Sequence, residues 1–145
     1  MRKILIPFDG SEPALRAVQH VASLSDKLKE PMEVLLLNVQ YPAPANELLI
    51  NGRPSEVRQL EEPLRAMGEK LLAPAREALG QSKITSRAFV EFGDPAPTIS
   101  SFARTYHCEL IVMGARGMGA IASLLLGSVA TKVIHLSDTA VMLVR

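Results

Sequence analysis

Several large classes of protein are excluded by what this chain lacks. It has one cysteine, Cys108, in 145 residues, so no internal disulfide framework can form. It has no charge of one sign to spare: 16 Lys and Arg stand against 15 Asp and Glu, a net charge of +1. Without excess cations to neutralise phosphates, an electrostatic nucleic-acid or membrane-surface binder is disfavoured, although a small basic patch is compatible with the total. Apolar runs such as Val34 to Leu37 and Leu110 to Met113 are far short of the ~20 residues that span a bilayer. Met1-Arg2-Lys3 leads at once into Ile4-Leu5-Ile6-Pro7-Phe8-Asp9, too brief for the core of a signal peptide. What is present is 48% hydrophobic and 21% charged residues, enough for a buried core. The expectation is one cytoplasmic globular domain over residues 1–145.

Apolar runs of strand length alternate with helical periodicity. Arg2 to Phe8 is nearly continuous in apolar residues after Lys3, as a strand buried on both faces should be. Asp9-Gly10-Ser11 is turn chemistry, and Pro13 sits where a missing N–H costs little. Leu15, Val18, Ala22, Ser25 and Leu28 then mark a helix from about Glu12 to Lys29. Glu33 to Val39 is a second strand, and Gln40 to Pro54 is rich in Pro, Asn and Gly, the long loop of the chain. Ser55 to Leu79 carries a helical face of Val57, Leu60, Leu64, Met67, Leu71, Leu72, Ala75 and Leu79. Pro63 and Pro74 fall inside it and predict a kink or a break.

Ile84 to Phe92 alternates with period two, which suits an edge strand with one wet face. Gly93-Asp94-Pro95 supplies a turn, an N-cap and a first-turn proline for a short third helix through Ile99, Phe102, Ala103 and Tyr106. Glu109 to Met113 is a fourth strand, Gly114 to Gly127 a glycine-bearing connection, Ser128 to Leu136 a fourth helix and Thr139 to Arg145 a fifth strand. This alternation predicts an α/β fold: a five-stranded parallel sheet of order 3-2-1-4-5 with helices on both faces.

In such a sheet the ligand crevice lies beyond the carboxyl ends of the strands where the order reverses, here between the first and fourth. The loops that follow those strands are Pro7-Phe8-Asp9-Gly10-Ser11 and Gly114-Ala115-Arg116-Gly117-Met118-Gly119. An acidic turn meeting a glycine loop predicts a nucleotide. Gly114 and Gly117 permit close backbone approach and positive φ. Gly127 and Ser128 open a helix whose free N–H groups suit a phosphate. Arg116 and Lys132 can offset phosphate charge, with magnesium supplying the rest. Asp9 can accept from an adenine amine or ribose hydroxyls, or help hold the cation.

The full spacing Gly114-x2-Gly117-x9-Gly127-Ser128 resembles the nucleotide signature of the universal stress protein family, UspA-like, in its ATP-binding branch. The opening strand and acidic turn Lys3 to Ser11, the entry Gly93-Asp94-Pro95, the run Leu110 to Gly117 and the helix start Gly127 to Ala130 are all similar to family segments. Glu109, Phe8 and Ala140 depart from the usual Asp, Val and Pro. The resemblance implies a Rossmann-like fold of the adenine nucleotide α-hydrolase kind. It implies ATP as ligand, magnesium through the phosphates, and a stress-response role without nucleic acid or membrane. The contacts it implies are Pro7, Asp9, the backbone of Val39, Met113, Gly114, Arg116, Gly117, Gly127, Ser128 and Val129. It also implies a homodimer paired through Val141-Met142-Leu143-Val144, which agrees with the need to cover a terminal apolar edge.

Other motifs are missing. The Walker P-loop and the Rossmann Gly-x-Gly-x2-Gly are absent, and only Asp9 stands where a receiver domain carries an acidic pair. Gly114 to Gly117 matches a KH-type Gly-x-x-Gly in spelling only, since it follows a strand. His20, His107 and His135 have no ligand spacing, Cys108 reads as a packed thiol, and no Ser-His-Asp arrangement is legible. The reading therefore leans away from an enzyme. ATP acts as a regulatory ligand that orders the Gly114–Gly127 connection and the Gln40–Pro54 segment. The alternatives are a slow ATP-hydrolysing enzyme, needing a base that only Asp9 supplies, and a nucleotide-free dimeric interaction module.

Overall fold

The computed structural model describes residues 2–28, 30–41, 54–116 and 126–145, with the side chains of 54–58 and 60 excepted. The strands are β1 (Arg2–Pro7), β2 (Met32–Gln40), β3 (Thr85–Phe92), β4 (Leu110–Gly114) and β5 (Ala140–Val144). The helices are α1 (Glu12–Lys27), α2 (Pro54–Gly80), α3 (Pro95–Thr105) and α4 (Ser128–Leu136). All neighbouring strands pair in parallel, in the order β3-β2-β1-β4-β5. The expected sheet is the observed one.

Strand alternation divides the core into two layers. Ile4, Ile6 and Phe8 of the first segment join Val34, Leu36 and Val112 against α1 and α2, where Ala14, Ala17, Val18, Val21, Leu72, Ala75 and Leu79 are buried. Leu5, Leu35, Leu37, Ile111 and Met113 face the other way, onto Ala96, Ile99, Phe102 and Ala103 of α3 and Ala130 and Val133 of α4. Each such aliphatic or aromatic side chain removed from water contributes about 1.5–3 kcal/mol before chain entropy is charged against it.

The structure corrects two local expectations and refines two others. Helix α1 stops at Lys27, and Leu28 caps it in extended conformation with its side chain exposed. Of the kink or break expected at Pro63 and Pro74, the break does not occur: helix α2 is continuous over Pro54–Gly80. Met67 was expected on the packed face of α2 but is 54% exposed; the buried position on that turn is Gly68. Asp94 holds the N-cap position of α3 by backbone geometry, yet its side chain makes no capping bond.

The edge strand β3 is wet on less than one whole face. Ala88, Val90 and Phe92 pack towards α2, while Phe89 on the opposite side lies 5.1 Å from the Phe102 ring and 5.2 Å from that of Tyr106. Residues 42–53, and with them most of the expected Gln40–Pro54 loop, lie outside the described residues, as do the side chains of Val57 and Leu60.

Candidate functional site

The strand register brings the expected contacts to one end of the sheet. Pro7, the buried last residue of β1, pairs with Leu37. The offset that sets Leu5 beside Ile111 places Pro7 level with Met113. Parallel strands share a direction, so the turn after β1, the end of β2 and the end of β4 all emerge on the same side.

The acidic turn is built from local bonds. Gly10 has φ +84°, a conformation that favours glycine, and lets the chain reverse after Asp9. The Ser11 N–H donates to Asp9 Oδ1 at 3.0 Å, and Ser11 Oγ accepts from the Ala14 N–H at 3.3 Å as the N-cap of α1. The Asp9 side chain is thus exposed at the mouth of the switch point, with its carboxylate oriented by the chain that follows.

Val39 contributes backbone. The Phe8 N–H donates to the Leu37 carbonyl at 2.8 Å, so residue 37 of β2 turns its polar groups to β1. By alternation, Val39 turns its N–H and C=O to the same side, beyond the last residue of β1. Its side chain packs against the α3–α4 layer.

The glycine of β4 has a reason different from the one expected. Gly114 has no positive φ. A Cβ there would lie 2.7 Å from both the carbonyl carbon and the Cβ of Pro13. Its close approach is therefore to the first turn of α1, which lets the ends of β1 and β4 draw together under the acidic turn. Past it, the Ala115 N–H donates to Val144 O at 2.8 Å and the Gly127 N–H donates to Ala115 O at 2.6 Å. These bonds tie both ends of the glycine connection to β4 and β5.

Gly127 is the N-cap of α4, in extended conformation, and its carbonyl accepts from the Thr131 N–H at 3.0 Å and from Thr131 Oγ1 at 2.9 Å. The first-turn N–H groups of Ser128, Val129 and Ala130 have no residue four positions back within the helix to bond. They form the positive end of α4, beside the carboxyl end of β4. Ser128 is exposed, Val129 is half-buried, and Arg116 is half-buried one residue beyond Ala115.

The structure thus gathers Pro7, Asp9, Val39, Met113, Gly114, Arg116, Gly127, Ser128 and Val129 at one sheet end. Gly117 and the connection through residue 125 lie outside the described residues. Among the described residues no group of three or more His, Cys, Asp or Glu side chains could hold a metal.

One polar residue was missed by the reading of the sequence. Asn38 is 3% exposed, and its Nδ2 donates to the Phe8 carbonyl at 2.9 Å. The signal was available: a single amide interrupts the apolar run from Val34 to Val39. Elsewhere, an open groove lined by Glu91, Thr98, Ser101, Phe102, Thr105 and Tyr106 lies on the β3–α3 side, away from the switch point.

Known proteins share this fold. The model of the universal stress protein family matches residues 1–145. A universal stress protein of Thermus aquaticus is 34% identical over 144 residues, covering 99% of this chain and 98% of its own. The solved structure of the protein MJ0577 is 27% identical and superposes with a TM-score of 0.80 over 99% of this chain and 94% of that one. MJ0577 is a universal stress protein of Methanocaldococcus jannaschii. Two more distant structures share the fold. One is an Arabidopsis thaliana family member with AMP bound, at 20% identity and TM-score 0.67 over 99% and 91% of the two chains. The other is a universal stress protein in complex with cAMP, at 24% identity and TM-score 0.60 over 99% and 96%. On the match of the whole chain to the family model and on this identity, the chain belongs to the universal stress protein family.

Proposed function

We propose that this chain is a stress-response protein whose single domain binds an adenine nucleotide, ATP with magnesium, at the carboxyl ends of β1 and β4. The observation that carries the reading is that the Asp9 turn, the glycine end of β4 and the Gly127-capped start of α4 lie at one end of the sheet, with Gly114 close against Pro13 and the Gly127 N–H bonded to Ala115 O. Asp9 and the backbone of Val39 take the base. The N–H groups of Ser128 and Val129, with Arg116, take the phosphates. Met113, Gly114 and Pro7 form the floor and walls. The cation accompanies the phosphates and offsets charge that one arginine leaves uncovered. That relatives of this fold hold AMP and cAMP supports an adenine ligand.

The ligand acts as a regulator: binding stabilises the state that holds it and orders the connection between Gly114 and Gly127, changing a surface that a partner reads. The protein works in the cytoplasm as a homodimer paired through Val141–Val144. Among the described residues no helix is long and apolar enough to cross a membrane.

Isothermal titration of ATP with magnesium into wild type and a folded Gly127→Val variant tests the reading. A branched side chain at the cap obstructs the approach of phosphates to the α4 N–H groups. Micromolar binding that the variant loses is the expected result. No heat in wild type, once co-purified nucleotide has been excluded, overturns it. Titrating AMP and cAMP in parallel ranks the phosphate requirement.

A further inference from the structure

We infer that Asn38 is the positioning residue that gives this site its preference for adenine, an inference that rests on the nucleotide reading above. Asn38 and Ser11 are the buried polar residues among those described, and Ser11 is explained as a helix cap. Asn38 needs another explanation. It stands at the end of the buried run Val34 to Leu37, where the sequence pattern alone calls for another apolar residue. Sheet pairing does not require its side chain, since the Phe8 N–H already bonds to Leu37.

Both ends of the amide are engaged. Nδ2 donates to Phe8 O at 2.9 Å, and Oδ1 accepts from Gln40 Nε2 at 2.7 Å. The backbone partner fixes the orientation of this amide, because turning it over would set Oδ1 against the Phe8 carbonyl oxygen and leave both without a donor. Helix α2 closes over it at Gly68, where an added Cβ would stand 2.8 Å from Asn38 Oδ1.

The consequence lies in the neighbours. The Phe8 carbonyl belongs to the planar peptide that leads into Asp9, so holding it fixes the direction in which Asp9 departs. Val39 directly follows Asn38. The two residues that take the base are therefore each one position beyond the two ends of a single buried hydrogen bond. That bond sets the distance between Asp9 and the Val39 backbone, which is the width of the base slot. At the 6-position adenine offers an amine to the Asp9 carboxylate and guanine a carbonyl oxygen, which the carboxylate repels; guanine's own donors, N1–H and the 2-amine, reach a carboxylate only if it moves along the base edge. Discrimination depends on the carboxylate staying in place.

Two measurements on Asn38→Leu test this. The first uses no ligand: amide exchange at Ser11, whose N–H donates to Asp9. Exchange faster than wild type, with β1 protection unchanged, is expected; an unchanged Ser11 rate overturns the positioning role. The second compares ATP with GTP. ATP affinity should fall by about tenfold with GTP held within about twofold, so that the preference collapses. Equal weakening of both nucleotides, as Gly127→Val should produce, overturns the specificity role. Wild type that binds neither nucleotide overturns the reading of the site itself, a result distinct from the exchange measurement. Should Asn38→Leu fail to fold, Asn38→Ser, too short to reach Phe8, carries the same expectations.

Discussion

Gly68 illustrates how much one absent side chain can hold. An added Cβ would meet Asn38 Oδ1 at 2.8 Å and the two Val90 methyls at 2.8 and 2.9 Å. In an exposed helix Gly→Ala gains about 1 kcal/mol, but overpacking costs about 1–3 kcal/mol or more. Here three contacts fall short at once, one of them against an amide held at both ends. Gly68→Ala should therefore destabilise the protein by about 2 kcal/mol, read as a lower urea midpoint at unchanged slope. Cys108 offers a second test. Burial pushes its thiol up from the ordinary range, with Lys3 opposing and Glu33 adding to the rise. Its thiolate is therefore scarce near neutrality, and alkylation of the folded protein should be slow compared with the urea-unfolded chain. The folded thiol holds its proton more tightly than the unfolded one. That contribution to stability is whole below about pH 8.5 and is lost as pH rises through the folded pKa. A Cys108→Ala variant should show less decline in stability above that pH.

At the scale of the element, α2 shows tertiary packing overriding local preference. Pro63 and Pro74 lie inside a helix of 27 residues, and both are exposed. Each deletes one backbone bond, yet Leu72, Ala75 and Leu79 hold the second half of the helix on the sheet. Interior proline costs about 3 kcal/mol against alanine, partly offset by the stiffer unfolded chain. Pro74→Ala should stabilise the protein by about 1–2 kcal/mol, measurable by thermal or urea unfolding. No change would mean that the helix is already distorted to suit the ring. On the outward face of β3, Phe89 is covered by Phe102 and Tyr106, with Arg87 lying 5.6 Å from the Phe89 ring centre, while Thr85, Arg87 and Glu91 are exposed. Period-two patterning sees Phe89 only as an apolar residue on the wet side, because its partners are in a helix ten and more residues away.

For the whole molecule the strand order decides both where a ligand sits and which edges are open. The sheet ends in β5, a strand of apolar residues paired on one side with β4. Leu143 is 36% exposed there, and Ile134 and Leu136 of the neighbouring α4 are exposed too. If β5 pairs with its copy, as we propose, Leu143→Lys should shift the dimer towards monomer in sedimentation or light scattering while circular dichroism stays native. A dimer unchanged by the lysine would place the interface elsewhere. Arg145, just past β5, is held on its own molecule, since Arg16 Nε donates to its carbonyl at 2.8 Å.

The sheet order and the gathering of the Asp9, Gly114 and Gly127 segments were legible in one dimension. Alternating strand and helix patterns, right-handed crossovers and turn residues leave few other arrangements for a chain of this length. Buried parallel strands announce themselves by continuous apolar runs, as Val34 to Leu37 does. Tertiary structure alone decided what depends on distance between segments far apart in sequence. It assigned Gly114 to a close approach with Pro13 instead of a positive φ, made Gly68 and not Met67 the packed position of α2, and carried α2 through two prolines. It also turned Asn38 from an unremarked amide into the link between β2 and the Phe8 carbonyl. Periodicity records which side of an element faces inward, whereas the van der Waals space and hydrogen-bond partners at that side are set by whichever other segment packs there.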